Sequence, residues 1–262
     1  VLVLLPPSEG KAGSGTGAPL ELGGLSLPEL TEARERVLDA LVELCTREDE
    51  ETALGVLGLS PGQRGELARN AALRTAPALP AAELYTGVLY DALGLTSLDE
   101  AAYRRAVESL LVCSGLWGAL RVGDRVPPYR CSIGVRGLPT GPLAAYWRGP
   151  LRAVLPEVAG GGLVLDLRSS AYAAAWKPAG TVAARTATVR VLHERVVGGV
   201  AKRSVVSHFN KATKGRLLRS LLEDGSQPRT PAELADALRD LKYTVEARDG
   251  RPWALDVVVA EL

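Results

Sequence analysis

The sequence predicts a mixed α/β (α+β) fold, a single domain over 1–262 with a mixed β-sheet covered by helices. Three observations predict it. Short, largely apolar runs such as Val1–Leu5 and Leu163–Leu167 read as buried strands. Stretches with apolar residues at helical spacing alternate with these runs, as expected for helices packed on a sheet. Two hairpin signals, Gly198-Gly199 and Asp249-Gly250, add antiparallel strands toward the end of the chain. No repeat and no long Ser/Pro linker divides the 262 residues, which are enough for a sizeable core.

The elements follow in order. Val1–Leu5, stopped by Pro6 and Pro7 and without a basic leader, is expected to be a strand and not a signal peptide. The Gly-rich loop Pro6–Gly24 has neither the spacing nor the Ser/Thr of a P-loop, although Lys11 in it could clamp an anion. Ser26-x-x-Glu29 reads as a capping box, opening a helix through Leu30, Val37, Leu38, Leu41 and Leu44. Helices are predicted over Glu50–Leu57, Gly62–Leu73, Ala82–Leu93 and Leu98–Glu108, followed by a strand at Leu110–Cys113. Cys131–Val135, Leu163–Leu167, Thr188–Val197 and Arg203–Phe209 read as further strands. A helix over Lys211–Leu222 is expected to be capped by Asn210, and Thr230-x-x-Glu233 opens another over Pro231–Leu241. The hairpin Tyr243–Arg248 and Trp253–Val259 closes the chain.

Composition narrows the function. With 31 Lys+Arg against 30 Asp+Glu, net charge is +1, so any nucleic-acid surface must be a local patch. No apolar run approaches a membrane span, and a soluble, cytoplasmic protein is expected, without a membrane partner. Three cysteines without C-x-x-C spacing and two histidines argue for reduced thiols and against a metal site, and no cofactor is called for. Only six of the 31 basic residues are lysines. That scarcity either marks places where a compact ammonium is wanted or reflects a GC-rich coding bias.

Charge asymmetry is densest between Val200 and Ser220, where Lys202, Arg203, Lys211, Lys214, Arg216 and Arg219 occur with no acidic residue. Lys211 in the first turn of a helix would be opposed by the helix dipole unless an anion such as phosphate completed the arrangement. The alternative is a solvated face balanced by Glu223 and Asp224. Phe209 within it is read as a core residue or as a base-stacking one. Ser114, Gly115, Trp117 and Gly118 suggest a turn where backbone comes close to something. Arg121 and Arg130 beyond it could grip phosphate or carboxylate, with Asp124 either orienting one of them or pairing with Arg121 in a loop. Ser169, Ser170 and Tyr172 follow a buried strand, where α/β proteins commonly place ligands. Cys113 is a weak nucleophile candidate, since only His208 could serve it as a base.

Taken together the motifs resemble a known family. Leu4-Leu5-Pro6-Pro7-Ser8-Glu9-Gly10-Lys11, Leu84-Tyr85-Thr86-Gly87, Ser114-Gly115-Leu116-Trp117-Gly118 and Pro128-Tyr129-Arg130 occur in one order. Asp166-Leu167-Arg168-Ser169-Ser170 and Ser207-His208-Phe209-Asn210-Lys211-Ala212-Thr213-Lys214 complete the series. The chain resembles the YaaA family of peroxide stress proteins from the first strand to about Leu222. The resemblance implies a family-specific α/β fold and a bacterial protein that limits oxidative damage, in part by restraining free iron. It also implies a basic cleft binding double-stranded or branched DNA, with family basic positions falling on Lys11, Arg121, Arg130, Lys211 and Lys214. A helix-hairpin-helix-like element associated with DNA binding corresponds to Gly62–Arg74, which lacks the glycine expected at its turn. The competing reading is an enzyme acting on a nucleotide-like or phosphorylated small molecule. It would bind phosphate through Lys11 and Lys211 and move protons through Ser169, Asp124 or Tyr129. Ser8, Tyr85, Thr86, Gly87, Ser114, Gly115, Trp117 and Ser170 would line its pocket.

Overall fold

The computed structural model describes residues 1–197, 200–205, 207–250 and 252–260. Ten strands are found among them: β1 Leu2–Leu5, β2 Leu79–Pro80, β3 Leu110–Ser114, β4 Gly118–Arg121, β5 Arg125–Val126, β6 Val164–Asp166, β7 Thr186–Val197, β8 Val200–Ser204, β9 Thr244–Arg248 and β10 Trp253–Ala260. Eight form one mixed sheet in the order β4-β3-β1-β6-β7-β10-β9, with β8 also on β7; β2 and β5 form a small second ladder. The centre is parallel (β3, β1, β6, β7, β10), and β4, β8 and β9 are antiparallel additions. The buried apolar runs explain that centre. Every residue of β1, β3 and β6 is buried, as strands covered on both faces must be.

The order around β1 positions the site. From β1 the chain passes to β3 on one side, whereas from β6 it passes to β7 on the other. Such a reversal leaves a crevice beyond the C-terminal ends of the two adjacent strands, here at Pro6–Lys11 and Leu167–Ser170. One apolar core cluster joins residues from Leu2 to Val257, including Trp117 and Trp147. The helix Thr31–Arg47 contributes Val37, Leu38 and Leu41, and the helix Ser207–Asp224 contributes Leu217 and Leu218.

Several expectations are corrected. Ser26 is no N-cap: a 3-10 turn Pro28–Leu30 leads into Thr31–Arg47, and the Ser26 N–H instead donates to Asp124. Ala82–Leu93 is two helices, Ala81–Leu84 and Val88–Leu93, broken where Gly87 adopts a φ of +97°. Cys131–Val135 forms no strand. Its alternation is genuine, with Cys131, Ile133 and Val135 buried and Ser132 and Gly134 exposed, but Val135 N–H closes a turn on the Ser132 carbonyl. Arg203–Phe209 is likewise not a strand: β8 ends at Ser204 and a helix begins at Ser207. Asn210 and Lys211 therefore lie inside that helix, so Asn210 does not cap it and Lys211 is not in its first turn. β7 and β8 pair antiparallel, whereas the Gly198-Gly199 turn lies outside the described residues. The Thr230 cap is present, its hydroxyl accepting the Glu233 N–H, and β9 and β10 form the closing hairpin.

Candidate functional site

The loop after β1 folds back along the segment Leu84–Thr86. Lys11 bridges Tyr85, Ala12 N–H donates to the Leu84 carbonyl, and Thr86 N–H donates to the Gly10 carbonyl. This short ladder fixes Lys11 over the crevice. Its Nζ donates to the Ser8 carbonyl (2.8 Å) and lies 4.5 Å from the Tyr129 ring centre and 5.6 Å from that of Tyr85. Burial, helped by the nearby Arg130 charge and opposed by weaker effects of Glu66, Cys131 and Glu9, lowers its pKa to about 8.

Beneath Lys11 runs a chain of buried hydroxyls. Ser114 Oγ accepts the Leu116 and Trp117 N–H groups, and Tyr129 Oη lies 2.6 Å from Ser114 Oγ and 2.9 Å from Tyr85 Oη. With both Ser114 lone pairs occupied, its proton goes to Tyr129 and that of Tyr129 goes to Tyr85. Burial raises the pKa of both tyrosines well above the ordinary phenol value, so they are neutral hydrogen-bonding groups.

Two close approaches build the walls. A Cβ on Gly115 would sit 2.6 Å from the Cys131 carbonyl oxygen, and one on Gly118, at φ +71°, would sit 2.6 Å from the Trp147 ring. These are the glycine-flanked turns that the sequence pattern flags, now with their neighbours. Arg130 is held by Asn70, which is fully buried and bonds both the Arg130 N–H (2.9 Å) and its carbonyl (2.8 Å). The guanidinium reaches Glu9, whose carboxylate is 85% exposed. Pro7, Ser8, Lys11, Tyr129, Arg130 and Tyr172 line the resulting cleft. Through Glu9, Arg130 and Ser132 it continues into a second cleft, bounded by Gly55–Leu59 and Gly134–Gly137. Gly58 there has φ +66°, in the turn between the helices Glu50–Leu57 and Gly65–Ala71. The Gly62–Arg74 stretch itself holds the end of a 3-10 turn, Pro61–Gln63, and the helix Gly65–Ala71.

On the other side of the crevice, Asp166 and Arg168 form a buried two-pronged ion pair (2.9 and 2.6 Å), and Arg168 also donates to the Trp176 carbonyl (2.9 Å). Lys214 lies near Asp166, and burial lowers its pKa. Cys113 lies beside Arg168, and burial pushes its thiol up to about 11. A thiol so protonated is a poor nucleophile. The side chain of His208, its suggested base, lies outside the described residues.

The structure therefore brings Ser8, Lys11, Tyr85, Thr86, Ser114, Gly115, Tyr129 and Arg130 together. Trp117 is wholly buried and packs edge-on against Tyr129, while Gly87 starts the next helix. Ser169 and Ser170 are exposed at the end of β6. Arg121 and Asp124 are elsewhere: Arg121 pairs in register with Leu111 at the start of β3, and Asp124 accepts the Ser26 and Arg121 backbone N–H groups. The basic stretch is divided. Arg203 pairs with Glu194 and Glu246, and Arg219 pairs with Glu223 and donates to the Leu93 carbonyl. Lys202, Lys211 and Arg216 are exposed. Phe209 is not in the core, being 48% exposed against the His193 ring. Among the described residues no group of three or more His, Cys, Asp or Glu could hold a metal ion, and no helix is long and apolar enough to cross a membrane.

Sequence reasoning missed Asn70 and Arg34. Arg34 is fully buried and donates to the Trp117, Ala119 and Ser26 carbonyls, bracing the Ser114–Gly118 turn from behind. The available signal was its place on the apolar stripe of Leu30, Val37, Leu38 and Leu41. Asn70 left no such signal.

The family model described as peroxide stress protein YaaA matches residues 1–249. A UPF0246 protein of Streptomyces coelicolor is 66% identical, covering 100% of both chains. UPF0246 proteins of Corynebacterium efficiens and Corynebacterium glutamicum are 42% and 37% identical, each covering 99% of this chain and 100% of the relative.

Proposed function

We propose a function from one premise: the chain belongs to the peroxide stress protein YaaA family. The protein protects the cell during peroxide stress by binding DNA, in the cleft that runs from Lys11 past Arg130 to the Gly58 turn. Its effect on iron is indirect, and it works in the cytoplasm.

One observation carries this reading. Arg130 is anchored by its backbone on buried Asn70, whereas its guanidinium meets only Glu9, through a well-exposed carboxylate at the cleft rim and a longer bond to the backbone carbonyl (3.3 Å). A surface ion pair of that kind contributes about 0–1 kcal/mol, so a phosphate can displace Glu9 at little cost. Arg136 lines the continuation of the cleft and extends the same grip. The exposed Lys202, Lys211 and Arg216 are secondary contacts.

The test is a salt titration of binding to a fluorescent DNA duplex. Arg130→Ala weakens binding and makes the log K against log salt slope shallower by about one. Unchanged affinity and slope would exclude the cleft as the phosphate site.

A second reading, an enzyme acting on a phosphorylated small molecule, is favoured by the desolvated Lys11 above the Ser114–Tyr129–Tyr85 hydroxyl chain. Thermal stabilisation by nucleotides or sugar phosphates, lost in Arg130→Ala, would support it.

A further inference from the structure

We propose that Lys11 is a nucleophilic amine that forms an imine with a phosphorylated aldehyde seated in the cleft. The proposal rests on Arg130 being the phosphate seat, and it adds a chemical step to that reading. Two sources share this chemistry: a base-free deoxyribose within a DNA strand and a free sugar phosphate.

The surroundings of Lys11 suit an amine better than a permanent cation. Among the described residues its Nζ has one hydrogen-bond acceptor, the Ser8 carbonyl, where an ammonium could use three. Two tyrosine rings cover other sides and partly offset the loss of water around the charged form, but no carboxylate pairs with it among the described residues. The charges acting on it are Arg130, which disfavours protonation, and Glu66 and Glu9, which favour it. Desolvation outweighs them, and the pKa falls to about 8. At that pH its neutral fraction is roughly a hundred times that of an exposed lysine of ordinary pKa. Lys11 also lines the open cleft together with Arg130, so a substrate held by its phosphate presents its carbonyl to the amine.

The step balances simply. The Nζ lone pair attacks the aldehyde carbon, and the C=O electrons move to oxygen. The N–H proton passes to that oxygen to give a carbinolamine. With one proton taken from solvent, water leaves, and a protonated imine remains. Desolvated lysines commonly act this way on carbonyl compounds.

The experiment is reductive trapping with cyanoborohydride on the full chain, in two arms, followed by mapping of the modified peptide. One arm uses a duplex with a single base-free site, the other glyceraldehyde 3-phosphate. The expected result is an adduct on Lys11 in at least one arm, with yield rising to a plateau through about pH 8. Lys11→Arg, which keeps the charge, abolishes it; Lys177→Ala, at an exposed lysine, leaves it unchanged. Adducts spread over exposed lysines and still rising at pH 10 overturn the proposal, as does trapping that survives Lys11→Arg. Binding of the intact duplex is measured in parallel. Tight binding without an adduct in either arm sinks the amine alone, and a sugar phosphate adduct without duplex binding sinks the DNA reading alone.

Discussion

Lys11 is held in place by backbone, through the ladder with Tyr85 and the Ser8 carbonyl, so its chemistry is set by what surrounds it and not by its own flexibility. That has a consequence for stability. The folded pKa, near 8, lies below the unfolded value of about 10.4, so between these pH values the unfolded chain binds more protons than the native one. Stability contributed by this site therefore rises with pH across that window, by up to about 3 kcal/mol. The tyrosines act oppositely: with pKa values raised on folding, they lower stability once the unfolded chain ionises near pH 10. The clean measurement is the difference in denaturation free energy between wild type and Lys11→Met from pH 7 to 9.5. It should grow with pH, and a flat difference would show that Lys11 is solvated. Ser114 offers a second residue-scale prediction. Ser114→Ala leaves the Leu116 and Trp117 N–H groups without their acceptor and removes the donor to Tyr129, at a cost of about 1–3 kcal/mol in urea unfolding.

At the level of elements, turns carry the site and strands carry the core. Gly115→Val would push a side chain into the Cys131–Ile133 backbone, which cannot retreat because Asn70 pins Arg130 beside it. We expect a destabilisation of about 1–3 kcal/mol by overpacking, together with loss of any ligand bound at Arg130, read by thermal melting and by binding. The same division explains what could be read from sequence. β1, β3 and β6 are legible because doubly buried strands read as short apolar runs, broken in β3 and β6 only at the C-terminal residue, Ser114 or Asp166. The closing hairpin is legible from Asp249-Gly250. The helix Arg148–Ala159 is not, since Gly149, Pro150 and Pro156 read as breakers; Pro150 in fact falls in the first turn, where its missing N–H costs nothing. The alternation in Cys131–Val135 reports burial faithfully but cannot say whether a partner strand lies alongside. For the site, Lys11, Tyr129 and Arg130 are visible as residue types, whereas Asn70 acts across 60 positions of chain and nothing local marks it.

For the whole molecule, the decisive fact is that a net charge of +1 gives no strong long-range field, so DNA affinity must come from a few placed cations. The sequence offers nine: Lys11, Arg121, Arg130, Lys202, Arg203, Lys211, Lys214, Arg216 and Arg219. Nine phosphate contacts would give a slope of log K against log salt of about −8. The fold spends most of them internally. Arg203 is shared between Glu194 and Glu246, Arg219 is tied to the Leu93 and Gly94 carbonyls as well as to Glu223, Lys214 is desolvated beside Asp166, Lys11 is held against the Ser8 carbonyl and two tyrosine rings, and Arg121 donates to the Glu108 carbonyl at the far end of β4. Arg130, Lys202, Lys211 and Arg216 remain, with Arg136 added from the cleft. Five contacts set the slope at no steeper than about −4 to −5. Arg203→Ala and Arg219→Ala should leave it unchanged, whereas Arg130→Ala and Arg136→Ala each make it shallower by about one. A wild-type slope near −8, with a response to Arg203→Ala, would return the binding surface to the 200–220 stretch and leave the cleft to a small ligand.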